Sequence, residues 1–225
     1  MNAARTPDGV SGAAGERQAE IARRVGLRDG FRTPLRTVAG FQLGSHGDML
    51  VAAAILVHAD TLAVVDAKVA TMPADTSRIA GPRRGSEVPA LLAVLAMLPT
   101  TPDLALVEAH GIAHPCRLGT AAHFGVAADL PCIGVATAIE IGTARLALHE
   151  MRGAFTPLRD GPEQIGWLLR SRPDAPPLVV SPGHRVSMPS APELVMRFVA
   201  DDRRPEPTRL ARLLLQGDLP DSGSA

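Results

Sequence analysis

Residues 107–115 read ValGluAlaHisGlyIleAlaHisPro, and the apolar run LeuAlaLeuVal at 104–107 leads straight into them. A buried strand that ends in a carboxylate, two histidines and a glycine places polar groups at the mouth of a sheet, where α/β proteins hold their ligands. Glu108, His110 and His114 are therefore candidates for acid–base or metal chemistry. His110 and His114 would align as metal ligands on a helix, but Gly111 and Pro115 favour a loop and the HExxH glutamate is missing, which argues against a two-histidine zinc site. His110 suits a hydrogen bond within the loop as well as it suits a functional role. A second strand end, SerProGlyHisArgValSer at 181–187, offers His184 to orient water or a phosphate beside the permissive Gly183. The third cluster is Arg83, Arg84, Ser86 and Glu87, a basic loop feeding a helix N-terminus, where unpaired amides and the helix dipole favour anions. Glu87 fits simple N-terminal helix charge as well as a metal ligand.

The elements that must carry these groups follow from hydrophobic period and turn chemistry. Residues 16–27 have the spacing of a short amphipathic helix. Thr37–Gly44 and Met49–Val57 are β-rich and joined by SerHisGlyAsp, and a third strand covers 62–70. Connections this short allow only an antiparallel meander. Helix 87–98 has Pro89 in its first turn, where a missing N–H costs little. A strand at 103–107, a helical stretch near 117–128, strands at 131–136 and 178–181, and a helix at about 190–200 complete the order. An antiparallel three-strand start followed by strand–helix alternation is the order of a ribonuclease H-like α/β fold, a mixed sheet flanked by helices. Residues 16–216 are expected to form one domain, with disordered tails at 1–15 and 217–225.

The 225 residues, 46% hydrophobic and 20% charged, can build a sizeable core and exclude disorder over the whole length. Lys+Arg and Asp+Glu balance at 23 each, so phosphate binding would have to come from a local patch. Two cysteines without a CxxC pair suit a reducing compartment rather than a disulfide framework. Neither a continuous apolar leader nor a run of membrane-spanning length is present, so a cytoplasmic protein without membrane attachment is expected.

Five blocks in order resemble the endonuclease V family of deoxyinosine-directed nucleases: ArgIleAlaGlyProArgArgGlySerGluValProAlaLeuLeu (78–92), the stretch 103–125 around GluAlaHisGlyIleAlaHisPro, ProCysIleGlyValAla (131–136), GlyHisArgValSer (183–187) and ArgArgProGluProThrArg (203–209). The resemblance covers roughly 17–212. It implies a ribonuclease H-like fold and Mg²⁺-dependent cleavage one phosphodiester beyond the lesion on its 3′ side. It also implies inosine-containing DNA or RNA as the partner, bound by a monomer. Clustered carboxylates would hold the metal, which activates water and stabilises developing charge. Carried onto this chain, the metal set is Glu108, Glu87 and Gln42, and the catalytic set Glu87, Glu108, His114 and His184. The nucleic-acid face is Arg78, Gly81, Arg83, Arg84, His110, Gly111, Arg117 and Thr137. The chain departs from the family where Gln42 and Glu108 stand for metal-binding aspartates, Thr137 for a lysine and Arg78 for the wedge tyrosine. The resemblance thus implies an inosine-directed nuclease, with weakened cleavage as what these substitutions would produce; the alternative is a degenerate member, its Mg²⁺ weak or absent, that binds modified nucleic acid or a protein partner without cutting.

Overall fold

The structure, a computed structural model, describes residues 13–74 and 87–218. Expectations for the extreme tails and for Arg78, Gly81, Arg83 and Arg84 lie outside these residues. Helix α1 (Ala13–Arg23) precedes the meander β1 (Thr37–His46), β2 (Met49–His58) and β3 (Val64–Pro73). The β1–β2 hairpin closes through Gly47 and Asp48, and Gly47 takes φ +58°, the left-handed backbone that a two-residue turn requires. The three strands extend past the limits set by their apolar runs because cross-strand pairing continues into polar residues, from Thr37↔His58 to His46↔Met49 in the first pair.

The remaining elements are α2 (Glu87–Ala96), β4 (Leu104–Val107), α3 (Thr120–Ala128), β5 (Cys132–Ala136), β6 (Phe155–Asp160), β7 (Glu163–Leu169), β8 (Leu178–His184), α4 (Ser190–Arg197) and α5 (Glu206–Gln216). They form one eight-stranded sheet in the order β3-β2-β1-β4-β5-β8-β7-β6. β4 runs parallel to β1 and β5 parallel to β4, with α2 and α3 in the crossovers, which is the expected ribonuclease H-like arrangement. Two features depart from the sequence reading. The β6–β7 hairpin went unforeseen because Pro157, Gly166 and scattered polar residues mask its two-residue period. It turns the chain so that β8 returns antiparallel to β5 rather than continuing the alternation. Helix α5 was also not anticipated; Pro205 and Pro207 sit at its start, where proline is tolerated.

Both faces of the sheet are covered, so the central strands are apolar throughout. Val38, Leu104, Leu106 and Ile133 face Val195, Phe198, Leu210 and Ala211 on one side. Ala39, Phe41 and Ala105 face Ala90, Leu91, Val94 and Phe124 on the other, with the Phe41 and Phe124 rings 5.0 Å apart. Helix α5 lies against β1 at Gly40, where an added Cβ would stand 2.0 Å from the Pro207 carbonyl carbon. Glycine at that point sets how closely α5 can approach the sheet.

His184 pairs with Cys132, the first residue of β5. Its Nδ1 accepts a hydrogen bond from the Gly26 amide at 3.1 Å, and its Nε2 lies 3.4 Å from an Asp129 carboxylate oxygen. Burial lowers its pKa, with Asp129 opposing the shift. It serves as a tie between the segment after α1 and the end of α3.

Two outcomes follow from this packing. Gly40→Ala should destabilise the protein by about 3 kcal/mol or more in denaturant unfolding, because backbone must move to admit the methyl. Gly47→Ala, which meets no atom within 4 Å and strains only φ, should cost about 1 kcal/mol. A histidine whose folded pKa lies below its ordinary 6.5 favours the neutral form, so the unfolded state takes up protons first as pH falls. The stability His184 contributes is therefore complete above about pH 6.5 and is lost as pH falls below it. Melting temperatures from pH 7.5 to 5 should drop less in His184→Gln than in the parent.

Candidate active site at the strand mouth

The parallel register of β1 and β4 ends with Phe41 opposite Val107, and the Glu108 amide donates to the Phe41 carbonyl at 3.1 Å. The next residues out, Gln42 and Glu108, therefore stand side by side where β4 ends and β1 runs on, paired only with β2. Thr137 follows β5, the neighbouring parallel strand, so three of the sequence-derived positions share one mouth. Gln42 is half-buried, its Nε2 reaches only the Leu43 carbonyl at 3.3 Å, and its buried Oε1 has no hydrogen-bond partner among the described residues. An orphaned buried acceptor costs about 1–3 kcal/mol, so this amide is held at some expense to stability.

The partner of Glu108 comes from 96 residues away. Arg204 Nε donates to Glu108 Oε2 at 3.0 Å and Arg204 Nη2 to Oε1 at 3.3 Å, a two-pronged ion pair with side chains 19% and 14% exposed. Its position is fixed locally: the Arg204 amide bonds Asp202 Oδ1 at 2.8 Å, Val199 and Pro205 form a bridge, and α5 begins at once. The adjacent Arg203 donates from Nη2 to the carbonyls of Thr137 and Pro177 at 3.1 and 2.8 Å. Consecutive arginines thus close the mouth across β4 and β5. Within the family-like block at 203–209, neither arginine stood out as a site residue, because nothing local announces a contact with Glu108.

A second carboxylate missed from the sequence is Glu140, in the loop after β5. It lies 3.3 Å from His110 Nδ1 and 3.6 Å from His114 Nε2, spanning the two histidines. His110 Nε2 is also 2.9 Å from the Ala138 carbonyl, so the loop hydrogen bond foreseen for it is present. His114 is almost fully buried. Gly111 crosses β8 so closely that a Cβ would fall 2.2 Å from the Pro182 carbonyl oxygen. The amides of Ala109, Gly111 and Ile112 bond to Val107 O, Ser181 Oγ and Pro182 O, so these glycine-loop amides are already engaged and do not form an open binding pocket.

Glu87, the first residue of α2, accepts from Thr120 Oγ1 at 2.5 Å, which ties the starts of α2 and α3 together. The Glu87 and Glu108 carboxylates therefore have different partners. Arg117, expected on the nucleic-acid face, instead binds Asp160 and Glu163 at 2.8 and 2.9 Å, and its charge is spent internally. His184 sits at the start of β5, the end of the sheet away from Gln42, Glu108 and Thr137, so the structure does not bring it into the catalytic set.

Mg²⁺ needs several hard oxygen donors with negative charge converging on one point. Gln42 is neutral, Glu108 is occupied at both oxygens by Arg204, and Glu87 is hydrogen-bonded to Thr120. Among the described residues no three His, Cys, Asp or Glu side chains are placed to hold an ion. As arranged, the expected metal set does not fit.

The chain compares closely with known proteins. The Endonuclease V family model matches residues 19–213. Endonuclease V of Azotobacter vinelandii is 47% identical over 207 residues, covering 91% of this chain and 92% of that protein. The crystal structure of Endonuclease V from Streptomyces avermitilis superposes with a TM-score of 0.83 at 32% identity, covering 97% of this chain and 98% of that one. The fold is also shared with Ciona intestinalis Endonuclease V, solved with a 24mer DNA containing an inosine followed by a ribo-adenosine, at a TM-score of 0.72 and 19% identity, over 92% of this chain and 96% of that one. A match this long leaves one assignment: the chain belongs to the endonuclease V family of nucleases.

Proposed function

We propose that this protein acts on inosine-containing DNA or RNA at the mouth formed by Gln42, Glu108 and Thr137, as an endonuclease V-type nuclease whose phosphodiester hydrolysis is weakened. The observation that carries the reading is the convergence of three of the family-like positions where the β1–β4 ladder stops and β4 and β5 end, with the His110–Glu140–His114 group on the loops that follow those two strands. The inosine-containing DNA bound by the Ciona relative supports the substrate class. Glu140 holds its carboxylate against both imidazoles, an arrangement that fixes ring orientation. His114 is then the group suited to move a proton at a phosphate or leaving oxygen. A positioned acid–base group supplies roughly 10²–10⁴-fold, far below the acceleration that efficient phosphoester hydrolysis requires. Slow turnover is the consequence.

The Arg204–Glu108 ion pair favours a second reading, binding without cutting. The two are separated by incubating the protein with an inosine-containing duplex, an inosine-containing single-stranded RNA and undamaged controls. The first reading expects slow nicking on the 3′ side of inosine, reduced about 10²-fold or more in His114→Asn. Inosine-selective binding with no nick at any time establishes the second. Absence of any inosine preference in binding or cleavage contradicts both.

Binding should also weaken with salt, each phosphate contact adding about −0.9 to the slope of log K against log[salt] for duplex DNA. Since Arg117 is internally paired, Arg117→Gln should leave that slope unchanged. A slope shallower by about one unit would return Arg117 to the nucleic-acid face.

A further inference from the structure

We infer that Arg204 is the protein's own counter-charge for Glu108, a resident guanidinium standing where the family's chemistry calls for a divalent cation, so that this member binds no Mg²⁺ at the strand mouth. The inference rests on the reading of that mouth as the active site and adds how its charge is balanced. Three observations carry it. The guanidinium meets both oxygens of Glu108 in the geometry that suits a planar fork on a carboxylate, leaving neither oxygen in want of a cation. The adjacent strand β1 offers Gln42, a neutral amide with no charge for a second cation to answer. Arg204 is also not a freely swinging surface arginine: the Asp202 cap, the Val199–Pro205 bridge and the start of α5 hold its backbone.

The charges at the mouth are therefore self-consistent without a dication. One carboxylate is matched by one guanidinium, and the neutral amide beside them matches the missing second negative charge. A metal entering here would have to displace Arg204, leaving a guanidinium beside a dication with one carboxylate between them. Like-charge repulsion at such separations opposes that exchange. The pair also lets a backbone phosphate approach without meeting an uncompensated Glu108, which makes nucleic-acid binding independent of metal.

The test is a titration of the full-length protein with Mn²⁺, a paramagnetic stand-in for Mg²⁺ whose six-line resonance disappears on binding, with no nucleic acid present. The parent protein should leave the signal of free Mn²⁺ intact through the millimolar range. Arg204→Met should bind one Mn²⁺ at least about tenfold more tightly, and Glu108→Gln in that background should abolish the gain. Should Arg204→Met fail to fold, Arg204→Gln, which keeps a donor for Glu108, carries the same expectation. A parent protein that binds one Mn²⁺ tightly and loses it in Glu108→Gln overturns the inference, as does an Arg204 variant that folds yet gains no affinity. Inosine-DNA binding in the presence of a chelator is measured separately. If the titration overturns the counter-charge while inosine selectivity persists, the proposed function stands alone.

Discussion

The close approach of α5 to β1 at Gly40 governs the active end of this protein. A methyl group at that residue would overlap the Pro207 carbonyl, so only glycine lets the helix start seat against the strand. Because α5 begins directly after Arg204, seating the helix also sets the reach of that arginine toward Glu108. Packing in the core and electrostatics at the mouth are thus two consequences of one backbone contact. The rest of the sheet supplies the other half, since the parallel register of β1 and β4 fixes Gln42 beside Glu108 before any side chain interacts.

From that geometry comes a mouth in which the Glu108 carboxylate is charge-paired with Arg204 and Arg117 with Asp160 and Glu163, while Arg203 reaches only the Thr137 and Pro177 carbonyls and Glu87 accepts from the Thr120 hydroxyl. A mostly buried carboxylate with a two-pronged partner is costly to separate, because removing either member leaves the other desolvated and unpaired. The same pairing that stabilises the mouth removes the converging negative charge a dication needs.

Much of this was legible in the sequence, for identifiable reasons. The meander, β4, β5 and the helices α2 and α3 are continuous apolar runs bounded by turn residues, and such runs report burial directly. Glu108 was found because it follows a buried strand directly, whereas Gln42 and Thr137 came only from the family resemblance, an amide inside a β-rich run and a threonine after another carrying no signal of their own. Arg204 and Glu140 were not found, because their meaning lies in contacts spanning 96 residues in one case and the loop after β5 in the other. His184 misled because a histidine at a strand end signals a site only when the strand's direction is known, and β8 runs antiparallel to β5. That reversal comes from the β6–β7 hairpin, whose prolines and glycines hide its pattern.

The most direct measurement of the central claim is a crystal structure of the protein grown or soaked with Mn²⁺, with anomalous scattering recorded at the manganese edge. No anomalous peak is expected at the strand mouth, and the Arg204 guanidinium should remain paired with both oxygens of Glu108. A manganese peak coordinated by Glu108, with Arg204 displaced from it, would show that the guanidinium does not stand in for the metal.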